Sequence, residues 1–450
     1  MDNALLTQAE IALARHCLEY ALSHGARKAR ITLSKSLMNL IGLLCGEVDK
    51  TAHALDRSFQ IQLFVEGRYG AFSSNKLDKE GLEAFISEAI DTVKMLEPDS
   101  FRDLPAAERL CRKALTGREL ELYDPACEAL SAEKRKETAL ASMAWERLQG
   151  QQEGWKLIAE EGEYSDSVFD SLTLDSQGLY ARHTETSFEI GYESTVEDAA
   201  GNHFSSYWWD ASPRLENLQW KDCAEKACRR AAAQIGPKSL ESGKYKVVVD
   251  SECASKLLTP VLNALGGFSI QQKNSFLVDS LGKRLFPESL TILDLPLTPG
   301  DSGCRLFDSE GVATREMPII EKGVVKTYFL NSYIAAKMNT APTIEDATRI
   351  KVLPVGECKT RDELMAKLGE GILVTGFNGG NSNPATGNFS YGIEGFFFRE
   401  GRPVHPVREM LVTGNFLELW GNLTATADDA RPCLSKRIPS LAFGQVDVSA

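Results

Sequence analysis

Residues 59–65 read FQIQLFV, with Phe59, Ile61, Leu63 and Val65 at every second position. A period of two belongs to a strand with one buried face, because successive side chains leave a strand on opposite sides. EGRYG turns the chain and AFSS returns it, so the spacing predicts an antiparallel hairpin. A helix precedes it: Thr7 and Glu10 form a capping box, Leu6 and Ile11 can staple around it, and Ile11, Ala14, Cys17, Leu18, Ala21 and Leu22 make one apolar face. Gly25 suits its stop, and ARITLS reads as a further strand. A second helix follows the hairpin, capped by Asp78, with Leu82, Phe85, Ile86, Ala89, Ile90 and Val93 as its core stripe. Helix, strands, hairpin and helix together predict an α+β unit of about a hundred residues.

The rest of the chain divides by pattern. The stretch 97–108, EPDSFRDLPAAE, reads as a linker, and 131–148 reads as helical. From 156 to 212 the pattern is strands, with turns at Ser176-Gln177-Gly178 and Ala200-Gly201-Asn202. A charged helix is expected over about 219–235, ending at Gly236-Pro237. From 244 onward come glycines and short strands, with hairpin turns at Glu321-Lys322-Gly323 and Arg399-Glu400-Gly401. The fold class expected is therefore α+β, an N-terminal α+β domain followed by a strand-rich mixed C-terminal domain. The 450 residues divide into 1–105, a middle helix-plus-strand region over 106–237, and 238–450.

Charge excludes one class of partner. The net charge is −13, and the longest basic run, Lys134-Arg135-Lys136, lies between Glu133 and Glu137. Phosphate contacts need clustered Lys and Arg, so direct nucleic-acid binding is not expected. The ten cysteines form no C-x-x-C pair, the start MDNALLTQAE lacks a signal-peptide pattern, and no window is apolar enough to span a membrane. A cytoplasmic protein with reduced thiols is expected. Cys223 and Cys228, five apart, read as buried thiols in preference to a metal pair.

Chemical motifs are sparse. H-E-x-x-H, Walker A, G-x-S-x-G and EF-hand patterns are all missing from the sequence. His405 sits between two prolines and reads as structural. Asp301, Asp308, Glu310, Arg315 and Glu316 cluster in DSGCRLFDSEGVATRE. Carboxylates there could bind metal or move protons, but a turn fixed by Gly311 with salt-bridged neighbours explains them more simply. GFNGGNSNPATGNFSYGIEGFFF, 376–398, could cradle an anion through its N–H groups, yet reads first as a hairpin needing positive φ.

The ordered segments SFLVDSLGKRL, TILDLPLTPGDSGCRLFDSEGVATRE, IIEKGVVKTYFLNSYIAAKM and NPATGNFSYGIEGFFFREGRPVHPVREMLVTGNFLEL resemble the TldD/PmbA family, named for modulation of DNA gyrase. CLEYALSHGA and FQIQLFVEGRYGAFSSNKLDKEGLEAFISEAI are similar to its N-terminal part. The resemblance implies dimers enclosing a cavity and intracellular cleavage of small peptides. In the TldD branch, H-E-x-x-x-H and a C-terminal cysteine hold zinc, whose bound water the glutamate activates. Sliding that motif onto this chain puts its histidines on Leu258 and Asn263 and its glutamate on Thr259, within LTPVLN. Cys433 lies in the region of the third ligand, with a shorter spacing to the chain end. The chain thus resembles the PmbA branch, which lacks the motif and serves as partner subunit.

Three readings follow. The chain is a partner subunit of a TldD-type zinc peptidase, holding no cofactor itself while zinc sits in the partner, with peptides as substrates and homodimers also allowed. Asp308, Glu310, Arg315, Asn383, Asn388 and Ser390 are its candidate substrate-binding residues. Alternatively it is an autonomous peptidase using Cys433, His405 or the Asp308/Glu310 pair, or a regulator that binds gyrase without proteolysis. The local pattern around the vacated motif is a core helix through Leu257, Leu258, Val261, Leu262 and Leu265, stopped by Gly266-Gly267. Pro260 would cost ~3 kcal/mol inside a helix, so a late start is expected, with Thr259 as N-cap and Pro260 at N1.

Overall fold

A computed structural model describes residues 4–450 and, within that span, every side chain but that of Gln151. The chain forms two compact units. The first reaches to Arg229 and adds Leu297–Arg315 and Ala335–Thr340; the second comprises Arg230–Pro296, Glu316–Ile334 and Ala341–Ala450. The first unit therefore takes in both the N-terminal stretch and most of the middle region, because strands from the two share one sheet.

In chain order the first unit carries α1 (Gln8–Ser23), β1 (Lys28–Leu44), β2 (Glu47–Val65), β3 (Arg68–Ser74), α2 (Lys79–Lys94), α3 (Ala126–Ala129), α4 (Ala132–Ser142), α5 (Trp145–Leu148), β4 (Gly150–Gln152), β5 (Trp155–Asp175), β6 (Tyr180–Asp198) and β7 (His203–Ser212). The capping box forms as expected: the Glu10 amide donates to Thr7 Oγ1 at 3.2 Å, and the Thr7 amide donates to Glu10 Oε2 at 2.7 Å. Asp78 caps α2 through the Gly81 amide at 2.7 Å. The sheet is antiparallel in the order β3-β2-β1-β5-β6-β7, with β4 on β5. Register pairs Leu33 with Phe59 and with Leu172. On that face Ile31, Leu33, Phe59, Ile61 and Leu63 meet Ile11, Ala14 and Cys17 of α1 and Leu82, Ile86 and Ile90 of α2. Burying each large side chain contributes about 1.5–3 kcal/mol, so this cluster holds the helices on the sheet. β1 runs well beyond ARITLS: past Lys35 its burial no longer alternates, with residues 36–40 half-buried or exposed and Ile41, Gly42 and Leu43 buried in succession, so no period of two marks it.

The chain continues with α6 (Cys223–Ala232), shorter than the charged stretch read from the sequence, then β8 (Gly243–Val249), α7 (Ser255–Ala264), α8 (Gly267–Gln271), β9 (Ile292–Asp294), β10 (Met317–Glu321), β11 (Val324–Val325), α9 (Ser332–Lys337) and β12 (Ile350–Val352). It ends with α10 (Arg361–Leu368), β13 (Glu370–Phe377), β14 (Asn381–Ser382), β15 (Asn388–Arg399), β16 (Arg402–Asn415), α11 (Phe416–Gly421), β17 (Leu423–Thr426), β18 (Lys436–Arg437) and β19 (Leu441–Ser449). In the second unit β13-β8-β19-β16-β15 pair in that order, and β15 pairs back onto β13. The ring closes on itself, which leaves no free edge among those five strands. A smaller sheet runs β11-β10-β9-β12-β18. Both hairpin turns read from the sequence are present, with positive φ at Lys322, Gly323, Glu400 and Gly401.

One local expectation fails. Thr259 is not an N-cap: α7 begins at Ser255 and carries Pro260 in its interior. The turn after β8 starts the helix early, since the Asp250 carbonyl accepts from the Cys253 amide at 3.0 Å and the Ala254 amide at 2.9 Å. An early start buries Leu257 and Leu258, 2% and 0% exposed. That burial offsets the one bond Pro260 cannot make, to the carbonyl of Lys256, an exposed residue.

Candidate functional site

The site is built at the end of β8. Asp250 closes the strand, and its Oδ1 accepts from the Glu252 amide at 3.0 Å while Arg361 bonds its Oδ2. Glu252 meets Arg230 at 2.9 Å and Arg431 at 3.8 Å. Burial raises the Glu252 carboxyl above its usual range, with Arg230 pulling it back. The next residue, Cys253, is pushed far up by burial, with Asp250 and Glu252 adding to the rise. A thiol held protonated in this way is a poor nucleophile. This network fixes where α7 leaves the barrel. Two further contacts hold the helix itself: the Trp420 indole donates to the Leu257 carbonyl at 3.3 Å, and the Lys256 ammonium lies 4.7 Å from the Tyr391 ring centre.

Along α7 the three motif positions separate. Leu258 is fully buried among core residues, whereas Thr259 and Asn263 open onto a groove of about 620 Å3. The groove is completed by Ser269 and Phe329, by Asp346 and Ile350, and by Lys436 of β18. Gly267 lets α8 approach closely: its amide donates to the Phe329 carbonyl at 2.7 Å, and a Cβ there would lie 2.6 Å from that oxygen. The Asp346 carboxyl is raised by desolvation and by Glu345 beside it. Sequence reasoning missed Ser269, Phe329, Asp346 and Lys436, because they come from four separate segments and carry no shared spacing.

Catalytic zinc needs three protein ligands that donate nitrogen, sulfur or carboxylate oxygen. Here an aliphatic side chain points into the core at one position, and a hydroxyl and an amide occupy the other two. Among the described residues, no group of three His, Cys, Asp or Glu side chains could hold a metal ion. The donor set does not fit a catalytic zinc.

The other candidates occupy defined places. Asp308 Oδ1 accepts from the amides of Glu310 at 3.0 Å and Val312 at 2.9 Å, and Gly311 has φ +74, so the segment is a tight turn. Glu310 is half-buried in that turn and Arg315 is exposed beyond it. Asn383 Oδ1 accepts from the Ala385 and Thr386 amides, closing the β14–β15 hairpin, and Asn388 Oδ1 takes a bond from Asn415 at 2.9 Å. Ser390 pairs with Asn381 in the same hairpin. Positive φ at Gly379, Gly380 and Gly387 meets the expectation for this stretch. His405 stacks on Phe397 at 5.4 Å. Cys433 is 9% exposed. The first three candidates lie in one unit, and Asn383, Asn388 and Ser390 in the other.

Known proteins agree with this architecture. Residues 127–235 match the PmbA/TldA metallopeptidase central domain, and residues 242–450 match the PmbA/TldA metallopeptidase C-terminal domain. Metalloprotease PmbA of Escherichia coli O157:H7 is 26% identical over 95% of each chain. The crystal structure of a proposed modulator of DNA gyrase from Bacteroides thetaiotaomicron superposes with a TM-score of 0.94 at 37% identity, covering 99% of both chains. TldE from Thermococcus kodakarensis, at 18% identity and a TM-score of 0.83, shares the fold over 97% of this chain and 100% of its own. Among the described residues no helix is long and apolar enough to cross a membrane.

Proposed function

The chain belongs to the TldD/PmbA metallopeptidase family, and from that premise we propose that it is the partner subunit that completes a TldD-type zinc peptidase without performing the hydrolysis. The observation that carries this reading is Leu258. It stands where the TldD motif has its first histidine, and it is turned fully into the core. A histidine at this position would point into the packed core, away from the groove onto which Thr259 and Asn263 open.

What remains at this place is a groove with Thr259, Asn263, Asp346 and Lys436 along it. These supply hydrogen-bond donors and acceptors suited to the backbone of an extended peptide. The subunit holds peptide while zinc in the partner activates water, as such chemistry requires. The working location is the cytoplasm.

The test mixes this chain with a TldD-type protein carrying H-E-x-x-x-H from the same cell. Co-elution and a gain in cleavage of a small peptide over either protein alone are expected. Turnover by the lone chain, abolished by Cys433→Ser or His405→Ala, would overturn the reading. A regulatory role through DNA gyrase is suggested by the description of the Bacteroides neighbour; direct binding to purified gyrase in the absence of peptide cleavage decides it.

A further inference from the structure

The far face of the N-terminal sheet carries a trough of about 560 Å3, independent of the α7 groove. Its floor follows from strand register. One row across the strands is Leu44–Glu161–Glu193–Tyr207. The next, two residues along, is Lys50–Gly42–Glu163–Gly191–Trp209. The third is Leu40–Ser165–Glu189–Ala211. Residues directly opposite in antiparallel strands share a face, so these side chains project together. The helices lie on the other face, where Ile41, Leu43, Tyr164 and Ile190 are buried.

The two glycines lower the floor on either side of Glu163. A Cβ on Gly42 would meet the Lys50 side chain at 2.6 Å, and one on Gly191 would lie 3.2 Å from the Trp209 Cβ. Both neighbours therefore lean over bare backbone. At the β7 rim Tyr207 is 61% exposed.

The charge in this trough is one-sided. Asp49, Glu161, Glu163, Glu189 and Glu193 line it against a single cation, Lys50, which pairs with Glu163 at 3.6 Å. Glu161 and Glu193 stand directly opposite each other, an arrangement that destabilises a sheet when no cation lies between them. Carboxylates flanking an aromatic rim form a receptor for ammonium or guanidinium groups, through ion pairs and contact with the ring face.

We propose that this trough docks an extended polypeptide segment bearing lysine or arginine. Its length along three rows of the sheet suits a strand-like ligand whose alternate side chains point the same way. The carboxylates select the charge, and Tyr207 covers the aliphatic stem or the cation.

A fluorescein-labelled decapeptide of alternating lysine and serine is the probe, with a glutamate-for-lysine peptide as control. Binding to the full chain is read by anisotropy at about 0.05 M and about 0.5 M salt, conditions that differ several-fold in screening length. The lysine peptide is expected to bind at low salt and to weaken at high salt. The double variant E161Q/E193Q should lose at least about tenfold in affinity, and Tyr207→Ala about threefold, while both keep the wild-type melting temperature or exceed it. Equal affinity of wild type and E161Q/E193Q, equal binding of the glutamate peptide, or no binding at low salt would each overturn the proposal. A change of sedimentation in the double variant without loss of peptide binding would mark the face as a subunit contact, and the proposal would fail in that way.

Discussion

The two faces of β5 hold the same kind of residue and treat it in opposite ways. Its even positions face the helices, and there Glu160, Asp166 and Asp170 are at most 1% exposed. Its odd positions carry Glu161 and Glu163, both exposed. Asp166 is surrounded by donors: Arg135 Nε at 2.5 Å and Nη2 at 2.9 Å, Asn39 at 2.8 Å, the Tyr164 hydroxyl at 3.1 Å and the Cys127 thiol at 3.3 Å. Asp170 takes the Leu6 amide at 2.8 Å, Arg182, and Thr184 at 2.9 Å. A buried charge is tolerable only when paired and hydrogen-bonded. One face thus uses carboxylates to anchor the chain, and the other leaves them for solvent or a ligand.

The largest effect expected from breaking this contrast is at Asp166. Asp166→Ala leaves Arg135, 11% exposed in its side chain, without its counter-charge. Losing one partner of a buried pair costs about 3–5 kcal/mol. Urea unfolding should show a loss of unfolding free energy of that size, and α4, which carries Arg135, should loosen first in hydrogen exchange. A loss below about 1 kcal/mol would mean that Arg135 escapes to water and the anchor is weaker than its geometry.

Asp170→Asn comes next. The amide still accepts from the Leu6 backbone but no longer balances Arg182. A loss of about 3 kcal/mol is expected, between that of a hydrogen bond to a charged group and that of a broken buried pair. The readout that separates it from a general loss of packing is protease cutting near Leu6, which should speed up ahead of global unfolding.

These anchors were only half legible in the sequence. The capping box at Thr7 and Glu10 and the stripe of α2 depend on neighbours within four residues, so spacing alone reports them. Asp166 and Arg135 are separated by 31 positions, and nothing in a strand pattern says which carboxylate an arginine will find. Pro260 taught the reverse lesson. Local rules favour a late helix start, but tertiary burial of Leu257 and Leu258 decides otherwise. The α7 groove was legible at Thr259 and Asn263 through family resemblance alone, while Lys436 enters through its pairing with Ile350 between β12 and β18, and Asp346 through the segment that leads into β12.

Glu160 gives a smaller effect with a sign that can be worked out. Its carboxyl is raised above the usual range by burial, and the amides of Trp145 and Ala144 offset part of that. An acid with a raised folded value binds its proton more tightly when folded. Its favourable contribution is complete below the unfolded value, about 4.3, and is lost as pH rises through the folded one. Glu160→Gln carries no charge but still accepts from both amides. Its stability relative to wild type should therefore increase from pH 4 to pH 7. A difference that is flat in pH would mean that Glu160 keeps its charge at no cost.

The smallest effect lies on the open face and has the opposite sign from the first two. Removing charge from Glu161 and Glu193 deletes a cross-strand repulsion and leaves no buried donor orphaned. The double variant E161Q/E193Q should gain up to about 0.5 kcal/mol in the same urea assay. The gain should shrink as salt rises, since exposed charges are screened over about 8–10 Å at moderate ionic strength. A loss of stability, or a gain insensitive to salt, would show that these side chains have partners on the folded chain. In that case the contrast between the two faces of β5 would be one of degree alone. A gain that disappears in salt would instead show that the sheet keeps an unfavourable pair of like charges on its open side, a cost that folding alone does not require.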